Sequence, residues 1–184
     1  MKAVLISIMP LWCYKILNYL KLIEVRKNRP KLETPFKCYI YMSSGGWAWR
    51  DPFSTAVVPP NGEMYNGAQK VVAEFICDSI DEYRPDDSPF GVYDISDDVV
   101  QKTCLPDGQL WEYGKGKTLY GWHISDLKIY DKPKELSEFY TWKKCNSCRT
   151  SGYESSACIY DEDCKVPAII TRPPQSWCYV EEVA

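Results

Sequence analysis

Only one of the 184 residues is a histidine, His123. A single imidazole excludes multi-histidine metal centres. It also leaves no Ser-His-Asp or Cys-His arrangement legible from spacing, so a general base would have to be a carboxylate or a lysine with a shifted pKa. No phosphate-cradling P-loop pattern occurs, and Gly45-Gly46 and Gly114-Lys115-Gly116-Lys117 read as plain turns. There is no internal repeat and no low-complexity tract, which argues against a solenoid or a disordered linker. Long apolar runs are missing too. The apolar start, Met1–Met9, is too short for a membrane span. It runs into Pro10, Trp12, Tyr14 and Lys15 without a small-residue cleavage pattern, so it reads as a buried first strand and not as a secretory signal. The expectation is a soluble cytoplasmic protein with no membrane partner.

The chain is long enough for one domain with a real core and an appendage. Aromatics are plentiful, with 7 Trp and 14 Tyr, and strand formers outnumber long helical patterns, which predicts a β-rich fold. A net charge of −3 hides an asymmetry. Residues 1–50 hold 9 basic and 2 acidic residues, a sum of +7, and the remainder sums to −10. A basic first quarter suits a phosphate-bearing partner, unless acidic segments fold back and neutralise it.

Read along the chain, residues 3–8 predict a strand and residues 10–20 a short helix, with Pro10 in its first turn. Residues 22–27 and 36–42 predict strands, followed by a long loop to about residue 68. Residues 69–77 predict a central strand and the acidic 78–98 loops and turns. One or two strands are expected in 118–130, a short helix in 133–142 and a closing strand in 175–180. This order suggests an α+β, β-rich fold: a small open barrel with a helix near its start. A single domain over 1–184 is expected, with 143–170 as a Cys-rich insertion before the last strand.

In the strand Ile23-Glu24-Val25-Arg26, apolar and charged residues alternate with a period of two. Ile23 and Val25 face one side, Glu24 and Arg26 the other. If that second face lines a cleft, it offers a polar ligand an acceptor and a forked donor, with Lys21 as a point charge beside them. If it faces solvent, it is an ordinary surface ion pair. His123, between Trp122 and Ile124, either points into such a cleft or is a structural residue. Trp47 and Trp49, with Arg50, either stack bases or anchor the long loop.

Nine cysteines are present. Cys13 and Cys38 sit among apolar residues and read as small buried thiols. Cys145, Cys148, Cys158 and Cys164 cluster within 20 residues. In a reducing compartment such a cluster reads as metal before disulfide, and four thiolates fit a structural zinc ion. Free thiols, an iron–sulfur cluster and two disulfides are the alternatives.

Ser7-Ile8-Met9-Pro10-Leu11-Trp12, a helix ending near Leu20, and Lys21-Leu22-Ile23-Glu24-Val25-Arg26-Lys27 together resemble the opening of the ASCH domain, in the PUA-like superfamily. Gly121-Trp122-His123-Ile124-Ser125-Asp126-Leu127 resembles a later strand of that domain. The wider sequence, including Arg172-Pro173-Pro174-Gln175-Ser176-Trp177-Cys178-Tyr179-Val180, is similar to small ASCH-like proteins of phages and prophages. The resemblance covers roughly residues 1–135. It implies a β-barrel with a central cleft for RNA, single-stranded nucleic acid or a nucleotide, with Lys21, Glu24, Arg26, Trp122 and His123 as ligand-binding candidates. Some members of the family hydrolyse an acetylated cytidine with a Lys, a Thr and a Glu. Lys21 stands where that Lys would be, but Glu24 occupies the Thr position, and Tyr19-Leu20-Lys21-Leu22 replaces a Gly-Lys-Lys-Thr turn. A carboxylate cannot do the work of that hydroxyl, so binding is expected more than turnover. Two other readings stay open. One is a hydrolase of a modified nucleoside or RNA, with Lys21 and Glu24 as catalytic candidates. The other is a phage factor in a bacterial host's cytoplasm that sequesters a nucleotide signal or blocks a host protein, using 78–98 and the Cys loop as contact surfaces.

Overall fold

Strand β1 (Ala3–Ile8) is buried at every position except the half-buried Ser7. A strand covered on both faces belongs in the middle of a sheet, and β1 lies there, parallel to β3 (Phe36–Met42) and antiparallel to β10 (Trp177–Glu182). The computed structural model describes residues 2–44, 55–86, 92–144 and 165–182. Its main sheet has eight strands in the order β2-β7-β6-β3-β1-β10-β8-β9. β2 is Ile23–Arg26, β6 Lys70–Tyr83, β7 Leu119–Lys134, β8 Phe139–Lys144 and β9 Lys165–Ile169. Two short strands, β4 (Ala56–Val57) and β5 (Tyr65–Asn66), pair separately within the long loop. Among the described residues the two edge strands, β2 and β9, do not pair, so the sheet is open, not a barrel closed by a ladder.

The expected strands 3–8 and 36–42 occur with those bounds. Helix α1 (Pro10–Leu17) carries Pro10 in its first turn and buries Pro10, Cys13, Ile16 and Leu17. It stops three residues short of the expected end, because Asn18 caps it and Tyr19 turns left-handed at φ 58°. Two other expectations are corrected. Residues 78–83 are strand and not loop: β6 runs on through a register shift between Cys77 and Ile80, and Tyr83 is buried beneath. Residues 133–142 form no α-helix. The end of β7, a 3-10 turn over Leu136–Glu138 and β8 occupy them, with Phe139 fully buried and Tyr140 and Trp142 together on the opposite face. Two short helices went unread, α2 (Asp97–Thr103), capped by Ser96, and α3 (Asp107–Gly114).

Apolar side chains cover both faces of the sheet. One face packs Val4, Ile6, Ile8, Phe75 and Trp122 against α1. The other packs Leu5, Tyr39, Tyr41, Phe139 and Val180. A third cluster joins Val25, Tyr83, Leu110 and Leu119. There Gly121 lets the Tyr83 hydroxyl approach, since a Cβ at 121 would sit 2.2 Å from that oxygen. Lys143–Lys144 and Lys165–Ile169, at the ends of the expected insertion, are paired strands. Trp47, Trp49, Arg50 and Cys145, Cys148, Cys158 and Cys164 lie outside the described residues.

Candidate ligand site at the seam of the sheet

Helix α1 ends, the chain turns at Tyr19, and the Lys21 amide is held by the Lys15 carbonyl at 3.1 Å. That turn drives Lys21 inward ahead of β2. Lys21 is 2%, Glu24 6% and Arg26 8% exposed. The solvated-face reading of this strand is therefore excluded, while the predicted alternation holds: Val25 packs in the third cluster, and Glu24 and Arg26 meet on the opposite face.

The three charges form one unit. Arg26 Nη2 lies 3.0 Å from Glu24 Oε1, and Lys21 Nζ lies 3.5 Å from Glu24 Oε2. The Lys21 ammonium also donates to the Thr103 carbonyl at the end of α2, at 2.6 Å, and lies 5.2 Å from the centre of the Trp12 ring. Burial pushes the Lys21 pKa down, against the pull of Glu24 upward. Arg26 reaches farther. Its Nη2 donates to the Ser7 carbonyl at 2.7 Å, and its Nη1 to Ser176 Oγ at 3.4 Å. Ser7 lies on β1 and Ser176 just before β10, whereas β2 is an edge strand on the far side of β7, β6 and β3. The sheet is thus curled until its β2 edge meets β1 and β10, and the Arg26 side chain spans that seam.

Two N–H groups at the seam have no hydrogen-bond partner among the described residues, Arg26 Nε and the fully buried Trp122 Nε1. Trp122 pairs directly with Glu24 across the β2–β7 ladder, so the two side chains share a face. Its ring packs edge-on to Phe36 and at a tilt to Trp177, each 5.9 Å between centres. Two cations and one carboxylate leave the cluster with one positive charge in excess. Two free donors at such a place suit a ligand atom that only accepts.

Of the five candidates from sequence, Lys21, Glu24, Arg26 and Trp122 come together and His123 does not. His123 pairs with Ile23 and therefore faces the other side of the sheet, where its Nε2 lies 2.7 Å from Asp81 Oδ2. Ser7, Thr103 and Ser176 were missed as partners. Ser7 and Ser176 both stood in the runs that carried the resemblance, but nothing in the spacing joins residues 7, 26 and 176. Cys13 and Cys38 are buried free thiols, as expected, and burial raises the pKa of each. Among the described residues no group of three or more His, Cys, Asp or Glu side chains could hold a metal ion, and no helix is long and apolar enough to cross a membrane.

No protein-family model and no curated protein sequence matches the chain. Solved structures do. The crystal structure of ASCH from Zymomonas mobilis is 13% identical over 97% of this chain and 87% of that one, with a TM-score of 0.52. A serine-to-alanine variant of that protein matches at 13% identity over 97% and 88%, with a TM-score of 0.53. A tyrosine-to-phenylalanine variant matches at 13% over 98% and 91%, with a TM-score of 0.50. The likeness runs over nearly the whole chain and is one of fold: this chain has the ASCH fold.

Proposed function

We propose that this protein is a nucleic-acid or nucleotide-binding module of ASCH type, and that its ligand binds at the β2 seam against Arg26, Lys21 and Trp122. The observation that carries the reading is the pair of unpartnered donors, Arg26 Nε and Trp122 Nε1, beside a buried charge cluster with a positive excess. A buried donor without a partner costs about 1–3 kcal/mol, and an accepting ligand oxygen or ring nitrogen against either donor would recover it. Glu24 holds the two cations in place. Its remaining lone pairs are available to an amino group on the ligand.

Hydrolysis at the same place is the less favoured reading. Lys21 has a lowered pKa, which suits a base. However, its ammonium is already engaged by Thr103 and Glu24, and no hydroxyl stands at position 24. Loss of turnover in Lys21→Ala with the fold intact would favour it. A phage origin and a host-protein target rest on resemblance alone.

The binding test is fluorescence anisotropy at low salt against single-stranded RNA, single-stranded DNA and free nucleotides. Affinity is expected to fall with salt, and Arg26→Lys to weaken binding about tenfold, because an ammonium cannot reproduce the guanidinium fork. Absence of binding to all three ligand classes rejects the proposal.

Zinc in the Cys segment belongs to the same proposal. In the β8–β9 ladder Lys144 lies directly opposite Lys165, and these are the chain neighbours of Cys145 and Cys164. The segment is therefore closed at its base by a strand pair, which suits a metal-stapled loop. Native mass spectrometry is expected to give one zinc per chain for the wild type and none for Cys148→Ser. A metal-free wild-type chain purified under reducing conditions would exclude it.

A further inference from the structure

We propose that the outer face of β8, β9 and β10 is a second contact surface for single-stranded nucleic acid, continuous with the seam and adding a stacked nucleotide beyond the Arg26 site. The inference rests on the binding role proposed above and extends it from a single nucleotide to a strand.

A groove of about 300 Å³ opens on this face, and Lys2, Trp142, Lys165, Tyr179 and Glu181 are among the residues that line it. Trp142 is 48% exposed, unusual for so large an apolar residue. It is held by Glu181: Trp142 Nε1 donates to Glu181 Oε1 at 3.1 Å, and the Tyr140 hydroxyl donates to Glu181 Oε2, also at 3.1 Å. Tyr140 meets Trp142 edge-on at 5.7 Å. Tyr179 is fixed in turn, its hydroxyl accepting from the Lys31 amide at 2.7 Å. Lys2 stands over the Tyr179 ring, 3.9 Å from its centre. Lys144 and Lys165 are exposed and paired across the ladder next to Trp142. Partly exposed rings flanked, among the described residues, by three ammonium groups against one carboxylate are complementary to stacked bases on a phosphate chain. A protein partner would find the same apolar rings but would have less use for the lysines.

The surface also leads somewhere. Trp177 meets Tyr179 at 5.4 Å on one side and Trp122 at 5.9 Å on the other, and its neighbour Ser176 accepts from Arg26. An aromatic row thus runs along β10 from the two unpartnered donors to the Trp142 groove. From Ser176 to Glu181 a strand covers about 17 Å, enough for more than one nucleotide.

The test compares uridine monophosphate with hexauridylate by anisotropy and calorimetry, for wild type, Trp142→Ala, Trp142→Phe and the double variant Lys2→Ala/Lys165→Ala. The wild type is expected to bind the hexamer more tightly than the monomer. Trp142→Ala should weaken the hexamer about tenfold and leave the monomer unchanged, and Trp142→Phe should restore it. The double lysine variant should flatten the salt dependence for the hexamer alone. Monomer binding with no gain from chain length, or a hexamer affinity indifferent to Trp142→Ala, overturns the second surface while leaving the seam site standing. No binding of either ligand overturns both. A wild-type dimer in sedimentation that dissociates in Trp142→Ala, with RNA affinity unchanged, also overturns it and assigns the face to a second copy of the chain.

Discussion

Glu24→Gln is expected to destabilise this protein by about 3–5 kcal/mol, measured by urea unfolding at neutral pH, although the change removes no atom from the packing. The carboxylate is the only negative group among the three buried charges, 3.0 Å from Arg26 and 3.5 Å from Lys21. An amide leaves two cations in a place water scarcely reaches. Their desolvation was tolerable only because Glu24 stood between them. The deficit should respond weakly to added salt, since mobile ions screen exposed charges far better than buried ones. Adding Lys21→Met removes one stranded cation and should recover part of the loss, so the two substitutions will not be additive. The exposed pair Lys102–Asp98 is the control: Asp98→Asn should cost less than about 1 kcal/mol. A Glu24→Gln loss as small as the control would mean that water solvates the cluster.

Trp122→Ala should cost about 3–5 kcal/mol, because the side chain is fully buried between Phe36 and Trp177 and its removal opens a cavity the curled sheet cannot collapse around. Trp122→Phe is the informative partner. It keeps an aromatic ring in the gap and deletes the N–H that lacks a partner. Its stability should therefore stay within about 1.5 kcal/mol of wild type, the lost volume being offset by the deleted donor. Ligand affinity should fall nonetheless if Nε1 reaches the ligand. A variant that folds as well and binds worse separates the two uses of the indole. If Trp122→Phe binds as tightly as wild type, the indole nitrogen has no part in recognition.

The period-two reading of Ile23–Arg26 placed Glu24 beside Arg26 correctly, because alternation is a property of the backbone and survives whatever the strand packs against. The same alternation parts His123 from Trp122, and the register agrees: Trp122 stands opposite Glu24 and His123 opposite Ile23. The clean strands β1 and β3 are dense in apolar and aromatic residues. The second half of β6 was hidden by Asp78, Asp81 and Glu82, which mimic a loop in a segment whose register shift re-aims them outward. Helices α2 and α3 are as short as α1 but carry fewer apolar residues to mark a period, although Ser96 before Asp97-Asp98 is an N-cap signal that stood in plain view. The seam itself could not be read. It depends on residues 7, 26 and 176 meeting, and only the curl of the sheet brings them together.

The position of β1 also sets the order in which this protein can be finished. Its partner β3 ends at Met42, but its other partner, β10, begins at Trp177. On the ribosome, an apolar strand with one bare backbone edge must wait until residues 177–182 have been made, and the Arg26 bond to Ser176 waits with it. Until then the nascent protein carries a sticky edge at its centre. Synthesis that stops before β10 would yield a chain with most of its sheet and a template for aggregation in the middle of it.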